Sequence, residues 1–542
     1  MDEATAQHFP PLPLPEEMRL WDAGAMSLGL PEELLMENAA RAALAVLQTY
    51  VPRLAGRRVL LFMGGGNNGG DAACLARLLL DQEAEPLVLH TRPLSACRGA
   101  CGKHVRMARA CGVPFRRCPS NPSFSAPTPD ILVDGLLGTG FRGKLRPDML
   151  TLVRAMNAMS APFVLALDIP SGLDGVSGLP SPEAVRATAT VSFQAAKPGL
   201  LMPDAASWTG RVHVRDIGIP ARIRRAAPCS FHLADGHCLA PLGAVTPGGF
   251  KNSYGQVLVI GGAPGFGGAA HLAARAALRS GAGLVTSAAP ISGLADIKNG
   301  WAEIMTLPLT GTDAGRWPAA LPKALTELLD RCSALVVGPG MGRGEDAAAL
   351  LAALLELPRR PPTVFDADAL MLLARCPALL SRIDARDVLT PHPGEAAALL
   401  GCSVAAVQAN RREALTRLCG LCRGTVALKG AGSLVGQANA PTLLCPYDVP
   451  QLSVGGSGDV LAGCIGGLLA RTARAADGDA APRAGLLRTG QAVALHALAG
   501  RMLGAEWPLR GNTAAALADA LPRALAAHAL QQPEGDALPC PA

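Results

Sequence analysis

"VLLFMGGGNNGGD", residues 59–71, is the stretch whose reading decides the fold. Five apolar residues, Val59 to Met63, have the signature of a buried strand and run straight into a glycine loop. After the loop the pattern turns Ala/Leu-rich and helical, so strand, loop and helix follow in order. Working outward, "PEELLMENAARAALAVLQ" (31–48) has apolar residues at helical spacing, and "PLVLH" (86–90) reads as a second buried strand. "DILVDGLLGTG" and "FVLALDIPSG" each read as an apolar strand ending in aspartate and glycine. This repeating grammar predicts an α/β fold, a Rossmann-like three-layer α/β/α sandwich whose ligands gather at the carboxyl ends of the strands.

The grammar starts again at "GQVLVIGGAPGFGGAAHLAARAALRSGAG" (255–283) and continues through "ALVVGPGMG", "TVFDADAL", "VLTPHPGE", "TVALKGAGS" and "GGSGDVLAGCIGGLLA". A second first strand this late predicts a second α/β domain, joined to the first across a Pro/Gly-containing segment. The expected bounds are a disordered or loosely docked arm over 1–15, a first domain over 16–221, a linker over 222–239, a second domain over 240–530 and a tail over 531–542.

Composition narrows the class. The chain has 542 residues, 49% hydrophobic and 17% charged, enough apolar material for two cores. No apolar run reaches the roughly 18 residues of a membrane span. The first residues are acidic and then proline-rich, the wrong polarity for a secretory signal, so a cytoplasmic protein is expected. The net charge of +6 is spread rather than gathered into a stripe, which argues against nucleic acid and suits small anionic ligands. A homo-oligomer is expected. The 15 cysteines predict free thiols rather than a disulfide framework. Cys97, Cys101, His104, Cys111 and Cys118 lie near one another in sequence but lack paired zinc-ligand spacing, and Cys419-x-x-Cys422 has no companion pair.

Gly64-x-Gly66-x-x-Gly69 matches the dinucleotide fingerprint. A redox site of that kind wants an acidic residue at the end of the second strand, about 20 residues on. Here that strand ends in His90, and Glu85 stands at its start. Asn67, Asn68 and Asp71 are more informative, because oxygen-bearing side chains among glycines suit phosphate or a hard cation. The same loop also reads as a tight turn capped by Asp71. Asp134 and Asp168-x-x-Ser171 would come off neighbouring strand ends and converge on the same crevice.

"LMENAA", "NNGGD", "VDGLLGTGFRG", "LDIPSGLDG" and "TVSFQAAKPGL…GRVHVRDIGIP" together resemble the YjeF N-terminal domain, the NAD(P)H-hydrate epimerase family, over residues 16–221. The resemblance implies that Asn67, Asn68, Gly69, Gly70 and Asp71, with Gly138, Thr139, Gly140, Phe141, Arg142, Gly143 and Lys144, bind a hydrated nicotinamide dinucleotide. It implies a potassium ion (K+) on Asn68, Asp134 and Ser171, and contact between Asp168 and the hydrated ring. Inverting the hydroxyl-bearing carbon requires a C–O bond to break and reform, and Asp168 is the candidate acid/base group. The family usually has glycine where this chain has Ala72 and Ala73.

In the second domain, "GGSGDVLAG" (455–463) places Asp459 behind the N–H groups of Gly456, Ser457 and Gly458 at a helix start. Such a start holds an anion, and a carboxylate beside it can take a hydroxyl proton during phosphoryl transfer. The bland alternative is an aspartate capping a buried helix. "TPHPGE" adds His392 and Glu395, "VFDADAL" adds Asp366 and Asp368, and "LKGAGS" adds Lys429 with backbone donors for a nucleotide. This set is similar to the ribokinase-like superfamily, and within it to the ADP/ATP-dependent NAD(P)H-hydrate dehydratase domain, over residues 240–525. His392-x-x-Glu395, in place of the Asn-x-x-Glu common among the kinases, favours the dehydratase. The resemblance implies hydrate contacts at Ala269, Gly340, His392 and Asp459. It places the nucleotide on Lys429, Gly430, Ala431, Gly432, Ser433 and Gly458. Departures occur at "FKN" (250–252), Ala302 and "YDVPQ" (447–451).

The resulting expectation is a bifunctional repair enzyme. It would interconvert R and S hydrates of NADH and NADPH (NADHX, NADPHX) and dehydrate the S form, with ADP or ATP as phosphoryl donor and Mg2+ shielding charge. Asp168 and Asp459 are the expected catalytic residues. The alternative is a ribokinase-like small-molecule kinase with a non-catalytic nucleotide-binding N-terminal domain.

Overall fold

The structure, a computed structural model, describes residues 8–118, 128–243, 247–472 and 481–529. The chain divides between His232 and Leu233, with Pro10 and the residues before it belonging to the later unit.

The first unit is built on seven strands: β1 (Arg58–Met63), β2 (Glu85–His90), β3 (Phe115–Arg117), β4 (Ile131–Gly135), β5 (Phe163–Leu167), β6 (Ala189–Phe193) and β7 (Arg211–Arg215). Their order is β3-β2-β1-β4-β5-β6-β7, and every pairing is parallel. Strand order reverses between β1 and β4, which opens a crevice at their carboxyl ends. Side chains alternate across the sheet as a two-residue period demands. Leu61, Met63 and Val133 pack beneath the helices Glu32–Tyr50, Asn67–Asp81 and Gly99–Ala110, while Phe62 and Leu132 pack with Met149, Leu152 and Val153 of the helix Pro147–Ala158. The sandwich therefore has its expected three layers.

One expectation needs correction. The arm over 1–15 is not loose where it is described: Phe9 is buried in the core of the later unit, and Leu12 donates its N–H to Phe231 O at 2.8 Å. Apolar side chains spaced through a proline-rich stretch can dock without forming a helix or hairpin of their own. The expected linker, 222–239, holds the boundary between the two units and has regular structure. It contains the helix Ala221–Ala226, strand β8 (Phe231–Leu233) and the start of a 3-10 helix, Gly236–Leu242. The expected tail over 531–542 lies outside the described residues.

The second sheet takes β8 with nine later strands: β9 (Gln256–Ile260), β10 (Leu284–Pro290), β11 (Ile304–Leu309), β12 (Ala334–Val337), β13 (Thr363–Phe365), β14 (Val388–Leu389), β15 (Thr425–Leu428), β16 (Ser433–Gly436) and β17 (Thr442–Cys445). Their order is β11-β10-β9-β12-β13-β14-β15-β16-β17-β8. The run from β11 to β15 is parallel, and β15, β16 and β17 are antiparallel. Val257, Val259 and Val336 meet an Ala/Leu layer from the helices Gly267–Arg279, Ser457–Thr472, Ala481–Glu506 and Ala514–Ala529. Small residues let two of these helices approach closely. A Cβ on Gly463 would stand 2.0 Å from Ala273 O. No described helix is long and apolar enough to cross a membrane.

Candidate active sites

In the first unit, β1 ends at Met63 and the helix begins at Asn67 with no side-chain cap on Gly66, so its leading N–H groups face the crevice. Asp71 is not a cap; it lies in the second turn, inside the helix. Gly64 is required for the turn, since a Cβ there would lie 1.9 Å from Leu136 O. The crevice is a cavity of about 860 Å3. Asn67, Asn68, Asp71, Gly138, Thr139, Gly140, Phe141, Arg142, Lys144 and Asp168 all line it. Gly69, Gly70 and Gly143 do not. Gly69 and Gly70 are small for packing: a Cβ on the first would meet Gly64 O at 2.1 Å, and on the second Met36 Sδ at 2.5 Å.

Below the cavity floor Asp134 is fully buried and accepts from Ser171 Oγ at 2.6 Å, Ser171 N at 2.7 Å and Leu136 N at 3.2 Å. Burial pushes its carboxyl up to about 6, against the pull of the Ser171 bonds. Asn68 donates Nδ2 to Leu137 O at 2.7 Å, while its buried Oδ1 has no partner.

Asp168 follows β5 in a left-handed conformation, φ 63°, which a non-glycine residue holds only when its surroundings impose it. Its carboxylate is ion-paired with Lys197, and Lys197 Nζ also reaches Ser192 Oγ and Phe193 O, both at 3.1 Å. Lys197 is 1% exposed and lines the cavity. Sequence reading assigned it no role, although a lysine inside the apolar run "SFQAAKPGLL" is itself a signal. Asp22 was also missed; it reaches the cavity from the helix Pro15–Ser27. Burial raises Asp22 to about 6, and it raises the Asp71 carboxyl well above the usual range, with the Asp168 charge adding to the effect.

In the second unit the expected residues converge from the ends of β13, β14 and β15 and from the start of the Ser457–Thr472 helix. Lys429, one residue past β15, donates to Asp366 Oδ1 at 2.8 Å and lies 3.7 Å from Glu395 Oε2. Thr390 Oγ1 donates to the same Asp366 oxygen at 2.7 Å, a contact that sequence reading did not foresee. Asp459, in the first turn of the Ser457–Thr472 helix, is raised to about 7 by burial and then by the Asp366 charge, with Lys429 opposing. Glu395 is likewise raised to about 7 by burial. A Cβ on Gly458 would lie 3.4 Å from Lys429 Nζ, which brings Asp459's helix start against the lysine.

His392 is a helix cap. Its Nδ1 accepts from Gly394 N at 2.9 Å, and Glu395 Oε2 accepts from His392 N at 2.7 Å. With Nδ1 accepting, the neutral ring carries its proton on Nε2. Ala269 and Gly340 meet at the Phe266 loop, where a Cβ on Gly340 would stand 3.2 Å from Ala269 Cβ. The backbone donors expected over Lys429–Ser433 are partly spent: Lys429 N bonds Pro391 O, and Gly432 N bonds Tyr447 O. Ser433 Oγ turns back to Gly430 O at 2.7 Å. Ser457 N is engaged by Val454 O, so the anion-holding donors of that loop narrow to its glycines. Asp368 is drawn away to Gly342 N and Arg343 Nε.

The described cysteines are free, as expected. The pattern across both units is that of an α/β metabolic enzyme, with two separate carboxylate-bearing strand-end sites in one chain.

Comparison with known proteins agrees with this class. The family described as NAD(P)H-hydrate dehydratase matches residues 257–523, and that described as YjeF-related protein N-terminus matches residues 32–199. The chain is 36% identical to a bifunctional NAD(P)H-hydrate repair enzyme of Moorella thermoacetica, over 81% of this chain and 84% of the relative. It is 38% identical to one from Thermanaerovibrio acidaminovorans, over 90% and 93%, and 35% identical to that of Escherichia coli, over 82% and 81%. Among solved structures, a Bacillus subtilis ADP/ATP-dependent NAD(P)H-hydrate dehydratase crystallised with ATP/Mg2+ is 24% identical, covering 54% of this chain and 96% of that one, with a TM-score of 0.43. The chain belongs to the bifunctional NAD(P)H-hydrate repair enzyme family, an epimerase domain followed by a dehydratase domain.

Proposed function

We propose that the two sites run successive steps on one damaged cofactor. The first-unit cavity takes an R or S hydrate of NADH or NADPH and inverts the hydroxyl-bearing carbon. The second unit dehydrates the S form with ADP or ATP. The observation that carries this reading is the composition of the first cavity, which puts carboxyls poised to hold protons, Asp71 and Asp22, beside a carboxylate–lysine pair.

Leaving hydroxide needs a proton, and the ring cation left behind needs a negative neighbour. Asp71 or Asp22 supplies the proton to the departing oxygen. Asp168, fixed by Lys197, faces the ring and takes a proton from the water that returns on the other side. The helix start at Asn67 and the 138–144 loop hold the phosphates, with Arg142 and Lys144 offsetting their charge. A potassium ion fits Asn68, Asp134 and Ser171: the donors are all hard oxygens, and the buried Asn68 Oδ1 lacks any other partner. When bound it would supply positive charge beside the loop and order it.

In the second unit Asp459 takes the proton of the hydrate hydroxyl, and the neighbouring glycine N–H groups hold the transferring phosphate. Phosphate is then the leaving group, expelled by the ring nitrogen lone pair. Glu395 and Asp366 are the carboxylates that would meet a magnesium ion brought in with the nucleotide, whose charge shields the phosphates. His392 presents Nε2–H to the hydrate. The expected cytoplasmic location and homo-oligomeric state are part of the same proposal; sedimentation of the purified chain tests the latter.

The experiment feeds mixed R and S hydrates with ADP or ATP and follows reduced nicotinamide absorbance. Asp459→Ala should abolish recovery while exchange between epimers continues. Asp168→Ala should recover the S form promptly and leave the R form behind. Unchanged recovery by the Asp459 variant sinks the dehydratase assignment, and unchanged exchange by the Asp168 variant sinks the epimerase one. A released phosphorylated product without reduced nicotinamide would instead favour the kinase reading.

A further inference from the structure

In sequence, His104 sits among cysteines that do not form a ligand set. The fold takes it elsewhere. His104 (helix Gly99–Ala110), Cys74 (helix Asn67–Asp81) and Glu37 (helix Glu32–Tyr50) bring His104 Nδ1, Cys74 Sγ and a Glu37 carboxylate oxygen within 4.8 Å of one another. Cys74 Sγ is 3.1 Å from Glu37 Oε2, and His104 Nδ1 is 4.0 Å from the same oxygen.

The histidine carries the second observation. It is 2% exposed, and its Nδ1 has no hydrogen-bond partner. Its other nitrogen, Nε2, lies 3.1 Å from Glu33 O. A carbonyl can only accept, so Nε2 bears the proton and Nδ1 points a bare lone pair at the thiol and carboxylate. A ring fixed by a backbone carbonyl through one nitrogen and free at the other is the arrangement found in metal-ligating histidines.

We propose that Glu37, Cys74 and His104 form a metal site for one divalent ion of the zinc class, with the fourth position open to water. One sulfur, one imidazole nitrogen and one carboxylate oxygen are the donors such an ion accepts in tetrahedral geometry. The ion replaces the proton that Cys74 now shares with Glu37: the S–H bond breaks, a metal–sulfur bond forms, and the proton leaves to solvent. Thiolate and carboxylate together offset the two positive charges. Arg77 Nη2 grips both Glu37 oxygens, at 2.6 and 2.9 Å, and Arg41 reaches Oε1 at 2.8 Å. These arginines hold the carboxylate from outside, and Arg41, 63% exposed, sheds much of its charge to water.

Two of the three helices also line the cavity, through Glu32, Met36 and Ala39 on one and Asn67, Asn68 and Asp71 on the other. Asn67 and Asn68 begin the helix that carries Cys74, and Asn67 Nδ2 donates to Glu32 Oε1 at 2.8 Å on the helix that carries Glu37. A metal here would staple the scaffold of the dinucleotide loop without entering the reaction.

The test is a cobalt(II) titration of the full chain after treatment with chelator. One equivalent should produce a thiolate-to-cobalt charge-transfer band and release about one proton. Cys74→Ser should abolish the band, His104→Gln should weaken binding roughly 10-fold or more, and the double variant Cys97→Ser/Cys101→Ser should leave the band intact. Absence of the band in the unmutated chain, or its survival in Cys74→Ser, overturns the proposal. The unmutated spectrum decides even if a variant fails to fold.

Discussion

At the scale of single residues, the proposed function rests on a few carboxyls whose surroundings suit them to different tasks. Asp168 is paired with Lys197, whereas Asp71 and Asp22 are pushed toward their protonated forms. Asp459 and Glu395 are both raised to about 7. A base must be deprotonated to act, so dehydratase kcat/KM should climb as pH rises through about 7, with Asp459→Asn flat and near zero. A rate independent of pH between 6 and 8 would remove Asp459 from that role. At the proposed potassium site, Asp134 would set the response to the ion. Its carboxyl, at about 6, must lose its proton to meet a cation, so thermal stabilisation by potassium over lithium should be present above pH 6 and fade below it. Asn68→Leu should erase the difference at every pH. These acids were legible in sequence where a local pattern marks them: the end of an apolar run for Asp134 and Asp168, and a glycine-rich helix start for Asp71 and Asp459. Asp22 and Lys197 were not, because nothing local marks a side chain that reaches a site from another element.

At the scale of elements, glycine decides how closely backbones approach. The strand-to-helix turn at 64–71 and the helix start at 455–459 were readable because glycine clusters ahead of a helix pattern have few other uses. Helix-on-helix contact was not readable: Gly463 looks like one more small residue in "DVLAGCIGGLLA". In the fold it lets its helix rest on Ala273. Gly463→Ala should therefore destabilise the second unit by about 1–3 kcal/mol through overpacking, the opposite of alanine's usual advantage inside a helix. Denaturant melts of the two proteins measure this, and a neutral or stabilised variant would show that the helices can separate at no cost. The proline-rich opening shows the same limit. Its apolar side chains suggested no element, and only the fold supplies the core that Phe9 fills.

At the scale of the whole molecule, each unit must remain folded around buried polar groups. His496 is buried and lies 3.0 Å from Ser457 O, at the root of the Asp459 helix. Burial lowers it to about 4. The unfolded chain takes up this proton near pH 6.5 and the folded chain does not, so its contribution is complete above 6.5 and is lost as pH falls toward 4. The loss is on the order of 3 kcal/mol. Asp459 and Glu395, raised in the fold, bind protons over the same window and work in the opposite direction. Comparing unmutated chain with His496→Asn at pH 7 and pH 5 isolates the histidine. The stability gap between them should narrow at pH 5, and a gap that stays constant would rule out this linkage.

The sequence by itself determined the two α/β units, their strand-end acids and the glycine loops, because apolar periodicity and turn chemistry are local properties of the chain. The family resemblance was carried by the same short motifs. Tertiary structure alone decided which acids share a cavity, which carboxylate Lys197 and Lys429 each pair with, and which glycines line the cavity and which are closely packed. It also moved His104 from a run of cysteines to Glu37 and Cys74. Such pairings depend on distances between elements far apart in sequence, and those distances exist only once the sheet and its helices have closed on each other.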